Sequence, residues 1–137
     1  MNLDLQRVAY CSHAIRPDLA LQTLAEILAV SDRNNARDRL SGVLLISRGR
    51  FFQVLEGVRQ DLDRTLRRIE ADPRHRDIRF VSREDIQTRL FDQWGMVAAR
   101  ITPSRQSEID GVIDRCHTDP EAAIQAARAL LDDQRAA

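Results

Sequence analysis

Gln53 is a polar residue in an apolar stretch of the chain, where its side chain needs hydrogen-bond partners. It lies in an otherwise apolar run, 51–55, which predicts a β-strand because aromatic and aliphatic residues dominate it. A buried primary amide is costly unless its oxygen accepts and its nitrogen donates hydrogen bonds. Gln53 is therefore either a structural amide that backbone groups satisfy, or a residue that reads the polar edge of a ligand.

Four other side chains could share a ligand site with Gln53. Asn35 carries a second amide, which suits a heterocyclic edge that presents donors beside acceptors. Tyr10 can supply both a hydrogen bond and an electron from one phenol. Ile27 and Ile69 lie on the inward stripes of two predicted helices and could cover the faces of a flat ring in an apolar slot. For each isoleucine a plain core role is the alternative.

The cysteines and histidines do not have the spacing of a metal site. Cys11 and Cys116 lie far apart in the sequence, and His13, His75 and His117 are scattered. No Cys-x-x-Cys or Cys/His cluster is present. The sequence therefore predicts no metal site, no catalytic thiol at Cys11, and a core position for Cys116.

Composition limits the classes of function. The 137 residues suit one domain, and 21 arginines balance 21 acidic residues. Zero net charge argues against an electrostatic grip on nucleic acid or on an anionic membrane. No apolar run is long enough to span a bilayer, and no basic segment followed by an apolar run opens the chain. We therefore expect a cytoplasmic protein with free thiols.

The apolar periodicities predict an α+β fold. Their order, βαββαββ, is that of a ferredoxin-like sandwich, in which both helices cover one face of the sheet. The segment 102–131 predicts two further amphipathic helices, with a capping box at 118–121 and Pro120 at the first helical position. We expect this hairpin to cover the open face. The predicted strands are 5–12, 40–47, 51–56, 78–82 and 93–100, and the first two helices are 17–35 and 59–71.

Five short motifs occur together in this order. They are Tyr10 in the first strand, Asn34-Asn35, the segment 49–57, the segment 71–76, and the triplet 94–96. Their order and spacing resemble the BLUF domain, a blue-light sensor that uses flavin. The resemblance covers about 3–97, which divides the chain into a flavin-binding photosensor domain, 1–97, and a C-terminal helical extension, 98–137.

The resemblance implies a role for each of the polar residues. Tyr10 is expected to hydrogen-bond the Gln53 amide, which faces N5 and C4=O of the flavin, while Asn34-Asn35 brings Asn35 to the C4=O/N3 edge. Ile27 and Ile69 would cover the ring. Four further residues match positions around the ring edge and the end of the second helix, where a solvated surface role is the alternative. They are Arg68, Asp72, Arg74 and His75.

The last motif matches the signal-relay positions of the family. Trp94 and Met96 should point to the same face of their strand, because strand side chains alternate. Gly95 stands between them where Ser or Ala is expected in relatives, and glycine gives that strand extra backbone freedom. The relay would comprise Tyr10, Gln53, Trp94 and Met96.

The implied function is light sensing without catalysis. Light would drive electron and proton transfer from Tyr10 and leave the Gln53 amide rearranged, with FAD as the expected cofactor and FMN or riboflavin as possible substitutes. The chain would signal to a separate effector protein or through its own homodimer or higher oligomer, without nucleic acid or membrane. Two alternatives are a small ferredoxin-like enzyme such as an acylphosphatase, although no glycine-rich anion loop follows the first strand, and a regulatory module that binds a ligand in the dark.

Overall fold

A computed structural model describes residues 4–16 and 21–136, apart from the side chains of 21–24 and 28. The helix start predicted at 17–18 lies outside these residues. The predicted α+β ferredoxin-like sandwich with a helical hairpin is confirmed. Its elements are β1 (Leu5–Ala14), α1 (Leu21–Arg37), β2 (Ser41–Ser47), β3 (Arg50–Val58), α2 (Arg59–Ala71), β4 (His75–Asp85), β5 (Trp94–Ala98), a 3-10 turn (Pro103–Arg105), α3 (Gln106–Arg115) and α4 (Pro120–Ala136).

The five strands form one sheet in the order β4-β1-β3-β2-β5. The neighbours β4–β1, β1–β3 and β3–β2 are antiparallel, whereas β5 runs parallel to β2. The three inner strands, β1, β3 and β2, are therefore paired on both sides. Inner strands position side chains rigidly, and β1 and β3 carry residues of the predicted site.

Several element boundaries differ from the sequence predictions. The first helix continues to Arg37, so that Asn34 and Asn35 lie inside it rather than beyond its end. The strands β1, β3 and β4 also extend further than predicted, because ladder pairing continues past the apolar runs, from Leu5↔Val58 to His13↔Arg50. Hydrogen bonding between strands set these limits, and the apolar pattern alone does not report it.

A two-residue turn joins β2 to β3. Arg48 and Gly49 both have positive φ, 52° and 73°, as the favoured tight hairpin turns require of both central residues. Glycine adopts such angles at no steric cost. This turn sets the register in which Leu44 lies opposite Gln53.

Each sheet face carries its own hydrophobic core. On one face the side chains of α1 and α2 pack against Val8, Leu44 and Leu55, and Trp94 and Met96 join this cluster. On the other face the cluster is formed by alternate strand residues with α3 and α4. The tail hairpin therefore covers the sheet face opposite α1 and α2, as predicted. We call these the pocket face and the tail face.

The tail hairpin has its own local determinants. The carboxylate of Asp119 accepts a hydrogen bond from the Ala122 N–H at 3.1 Å, and Pro120 occupies the first helical position. The cap is therefore Asp119 rather than Thr118, whose hydroxyl donates to the Arg115 carbonyl. No helix among the described residues is both long and apolar enough to cross a bilayer.

Candidate functional site

Tyr10 and Gln53 form the centre of the pocket face. They lie opposite each other in the β1–β3 register, and the Tyr10 hydroxyl donates to Gln53 Oε1 at 2.5 Å. Both side chains are buried, with 4% and 6% of their surface exposed. A short hydrogen bond in a site shielded from water is strong, and the sequence predicted this pair through the family resemblance alone.

The Tyr10 hydroxyl is the donor of this pair, because an amide oxygen can only accept. Burial, reinforced by the negative charge of Asp72, raises the pKa of the Tyr10 phenol well above its ordinary value of 10.0. The hydroxyl therefore keeps its proton at neutral pH. Because Gln53 presents its oxygen to Tyr10, its amide nitrogen is directed elsewhere, and among the described residues that nitrogen has no hydrogen-bond partner.

A pocket opens above this pair between α1 and α2. Its walls are apolar and its rim, at the α2–β4 connection, is charged. The described lining residues are Tyr10, Ile27, Ser31, Leu44, Phe51, Gln53, Ile69, Asp72, Arg74 and His75. The sequence predicts seven of these ten, and the seven come from six different elements or connections.

The rim residues hold one another in place. Arg74 contacts Asp72 through two nitrogens, at 3.0–3.1 and 2.6 Å. His75 Nε2 lies 2.6 Å from the Ile69 carbonyl oxygen and Nδ1 lies 2.8 Å from Ser12 Oγ. A carbonyl can only accept, so Nε2 carries the proton in this arrangement. The imidazole thus links β1 to the last turn of α2.

Other predicted site residues lie beside the pocket rather than in its lining. Asn35 and Trp94 border a neighbouring cavity of about 660 Å³. Asn34 is half-buried in α1. Arg68 is not in that lining and forms a 2.7 Å ion pair with Asp38, a partner that its sequence position does not suggest.

Sequence reasoning missed one row of residues across the sheet. Tyr10 pairs with Gln53, Gln53 with Leu44, and Leu44 with Met96. Residues in register on adjacent strands have side chains in contact distance on one face. The row runs from Tyr10 to the edge strand. Strand order and register are needed to find it, since Leu44 is an unremarkable core residue in sequence.

The edge strand β5 connects the two faces. Trp94 and Met96 point to the pocket face, whereas their backbone carbonyls accept hydrogen bonds from Arg135 and Gln134 of α4, at 3.3 and 2.9 Å. A Cβ atom at Gly95 would lie 2.7 Å from Leu131 Cδ1. Gly95 therefore provides the room that lets α4 pack close to β5.

The sequence and the fold of this chain both match proteins that are already known. A sequence model of one family, BLUF, described as sensors of blue light using FAD, matches residues 5–97. The chain belongs to the BLUF family. A solved dark-state structure of the BLUF protein BlrB superposes with a TM-score of 0.75 at 25% identity, covering 96% of this chain and 99% of that one.

Curated relatives share only this part of their length. Photoactivated adenylate cyclase subunit beta of Euglena longa is 34% identical over 99 residues, which is 72% of this chain and 12% of the relative. The blue light- and temperature-regulated antirepressor BluF of Escherichia coli is 33% identical over 92 residues, 67% of this chain and 23% of the relative. The chain therefore spans less than a quarter of either protein.

The pocket chemistry fits a flavin ring. Ile27 and Ile69 supply apolar surface, and the Gln53 amide nitrogen supplies a donor that no described residue engages. The described part of the cavity measures about 90 Å³, so holding a tricyclic ring between α1 and α2 requires these helices to separate. Side chains of 21–24 and 28, on α1, are outside the described set.

Proposed function

We propose that this chain is a blue-light sensor that binds the isoalloxazine ring of a flavin between α1 and α2. The carrying observation is the buried Tyr10–Gln53 hydrogen bond at the base of an apolar pocket whose remaining polar groups lie at the rim. FAD is the cofactor named in the family description, and FMN or riboflavin would offer the same ring. The bound flavin supplies absorption of blue light and an electron acceptor.

The residues around the pocket divide into ring contacts and rim contacts. Ile27 and Ile69 would cover the ring faces, Gln53 would donate to its N5/C4=O edge, and Asn35 would bind the C4=O/N3 edge once the helices part. Asp72, Arg74 and His75 would close the rim. Arg68 is proposed to act at a distance, by fixing Asp38 and the helix that carries Asn35.

The Gln53 amide gives the site two states. In one, Tyr10 donates to Oε1. In the other, the amide has either rotated, so that its nitrogen faces the Tyr10 oxygen and its oxygen faces the pocket, or tautomerised, so that its oxygen carries a proton and can donate. Tyr10 would supply the electron and proton whose return leaves the amide rearranged. Each altered hydrogen bond changes the free energy by about 1 kcal/mol, so the signal needs a neighbouring element with two arrangements.

The edge strand is the proposed relay. Gln53 contacts Leu44, and Leu44 lies opposite Met96. A shift of Met96 or Trp94 would move carbonyls that Gln134 and Arg135 hold. We propose that the α3–α4 hairpin, 98–137, thereby passes the signal to a separate effector protein or to a second copy of the chain, and that the chain itself is not an enzyme.

The test is the visible spectrum of the purified protein. The parent should carry flavin and show a reversible red shift under blue light. Gln53→Leu removes donor and acceptor at similar size, so flavin should remain bound through apolar contacts while the red shift disappears. A normal shift in Gln53→Leu would overturn the assignment. A protein that stays colourless after flavin addition would favour the enzyme or dark-module alternatives.

Two further variants test the proposed roles of Tyr10 and Asn35 separately. Tyr10→Phe deletes one hydroxyl, keeps the ring packing, and should bind flavin without a photocycle. Asn35→Ala should mainly weaken flavin binding or alter the dark spectrum, because it removes a match to the ring edge. Ser31→Ala, in the pocket lining but outside the proposed network, is the matched control and should preserve the shift.

A further inference from the structure

The tail face contains a cluster of three metal-ligating side chains. Cys11 lies on β1, Cys116 follows the last turn of α3, and His117 is the next residue. Their ligand atoms all lie within 4.8 Å of one another, with Cys11 Sγ and His117 Nε2 3.1 Å apart. The spacing of 105 residues between the cysteines hides this cluster in the sequence.

The cluster has the chemistry of a zinc site. Two thiolates and one imidazole are a recognised set of three protein ligands for Zn²⁺, with a fourth, open position for water or an incoming group. Tetrahedral coordination, with bonds of about 2.0–2.3 Å, places neighbouring ligand atoms about 3.3–3.8 Å apart. Closing from 4.8 Å requires movements of about 1 Å, well within side-chain rotation.

The framework around the cluster is already ordered. Cys11 is held opposite Phe52 by the β1–β3 ladder. Cys116 is fully buried in the tail-face core, whereas His117 is exposed. The buried thiols therefore provide fixed ligands, and the exposed imidazole offers a route by which an ion can enter from solvent.

Two cationic side chains lie near the cluster. They are Arg79 and Arg50, whose charges act on the Cys11 side chain. Two thiolates with Zn²⁺ would form a neutral unit, which is less costly to bury than an isolated charge. The arginines would add a modest positive field around it.

We propose that Cys11, Cys116 and His117 bind one Zn²⁺ ion, or another thiophilic divalent ion, with an open fourth position. The ion would join β1, at the residue after Tyr10, to the turn between α3 and α4. It would thus clamp the tail hairpin to the strand that carries the proposed photochemical residue. The site lies on the face opposite the pocket, so it stands independently of flavin binding.

The experiment uses the full chain, reduced and stripped of metal. Zn²⁺ titration against a chromophoric chelator should give one ion per chain. Co²⁺ substituted for Zn²⁺ should give the visible bands of tetrahedral thiolate coordination at wavelengths beyond flavin absorption. His117→Ala alters an exposed side chain, so the fold should persist while Zn²⁺ affinity falls at least tenfold, the lower bound expected even for second-layer changes.

Two further variants identify the ligands. Cys116→Ser removes one of the two thiolates and should weaken the thiolate bands, with circular dichroism reporting whether the chain remains folded. His13→Ala removes an exposed histidine two residues beyond Cys11, on the same strand, and should leave affinity unchanged. An equal loss in His13→Ala and His117→Ala would show binding by surface imidazoles in general and would overturn the proposal.

Failure to bind stoichiometric Zn²⁺ would also overturn the proposal. Thiol counting under denaturing conditions resolves the competing possibility. If protein prepared without reductant lacks free thiols, and reduced protein binds no metal, then Cys11 and Cys116 form a redox pair rather than a metal site. Two free thiols together with one bound ion per chain would support the clamp.

Discussion

The two faces of the sheet differ in what they bury. The tail face buries a continuous apolar cluster that includes Ile109, Ile124 and Leu131, each at most 2% exposed. The pocket face buries polar side chains among its apolar ones, notably Gln53, Asn35 and Ser12, and it opens between its helices. The tail face is closed, and the charges that it buries, Arg7 and Glu56, are paired with each other at one end. A face that retains amides and an opening is suited instead to a polar, flat ligand.

The faces are nevertheless connected through shared strands. Each strand presents alternate residues to each face, so a displacement of β5 on one side is felt on the other. The backbone carbonyls of Trp94 and Met96 already receive hydrogen bonds from α4. Changes at the tail face should therefore affect stability first, and changes at the pocket face should affect the light response first.

The largest effect is expected from Glu56, at one end of the tail face. Its fully buried carboxylate pairs with Arg7 at 2.8 Å and accepts hydrogen bonds from the Leu90 and Phe91 N–H groups, which lead into β5. Glu56→Ala would leave Arg7 and these groups without their partner and should lower the free energy of unfolding by about 3–5 kcal/mol. Urea unfolding measures this change.

The other partner of Arg7 provides the control for that variant. Glu84 pairs with Arg7 at 2.9 Å, but its side chain is 46% exposed. Glu84→Ala should cost less than about 1 kcal/mol, as for surface ion pairs. Equal losses in the two variants would contradict the view that Glu56 anchors the approach to β5.

A substitution at Gly95 tests the close packing of α4. The Cβ of Gly95→Ala would lie 2.7 Å from Leu131 Cδ1 and 2.9 Å from an Arg135 nitrogen, so the cost should be about 1–3 kcal/mol. Gly111→Ala is the control, since its Cβ would meet only an Arg115 nitrogen at 3.7 Å. If thermal unfolding shows no greater loss for Gly95→Ala, α4 does not pack tightly here.

Light should change the tail more than the first helix. If the Gln53 rearrangement displaces β5, one altered hydrogen bond of about 1 kcal/mol would change amide exchange roughly fivefold. Hydrogen–deuterium exchange in dark and lit protein should show this in 94–131, and Gln53→Leu should abolish it. Identical exchange in the tail during a normal photocycle would mean that the signal leaves by another route.

The smallest expected effect is on the free energy of unfolding at low pH. It involves one carboxylate on each face of the sheet. Burial acts to raise the pKa of Asp38, but the hydrogen bond from Arg68 and the charge of Arg37 outweigh it, so the pKa is lowered from 3.8. The pKa of Asp110 is lowered in the same way, by hydrogen bonds from Ser47 and Arg48 that outweigh burial. As the pH falls, these two carboxylates take up protons in the unfolded chain before they do so in the folded protein. The stabilisation is therefore present above about pH 4 and is lost as the pH falls through the lowered pKa values.

Two variants assign that acid loss to each face. Asp38→Asn, on the pocket face, and Asp110→Asn, on the tail face, should each make the decline in unfolding free energy below pH 4 shallower. Urea unfolding from pH 6 to pH 3 measures the slope. An unchanged slope in both variants would show that these ion pairs do not contribute to acid sensitivity.

Much of the fold could be predicted because local patterns and tertiary pairing agree. The apolar stripe of α2, bounded by Pro73, predicted its limits at Arg59 and Ala71 as the structure has them. The ends of β1 and β4 could not be predicted in this way, since their polar terminal residues are held by ladder hydrogen bonds. The pair Asn34-Asn35 predicts a helix end, whereas in the structure the first helix continues through both residues to Arg37.

The sequence by itself determined the element order, the two amphipathic tail helices, and the set of motifs that identifies the family. Only the tertiary structure decided that Tyr10, Gln53, Leu44 and Met96 form one row, and that Arg68 pairs with Asp38. Only it brought Cys11 to Cys116 and His117. The physical reason is that periodicity reports which face of an element is buried, whereas proximity between distant segments depends on strand order, register and helix docking.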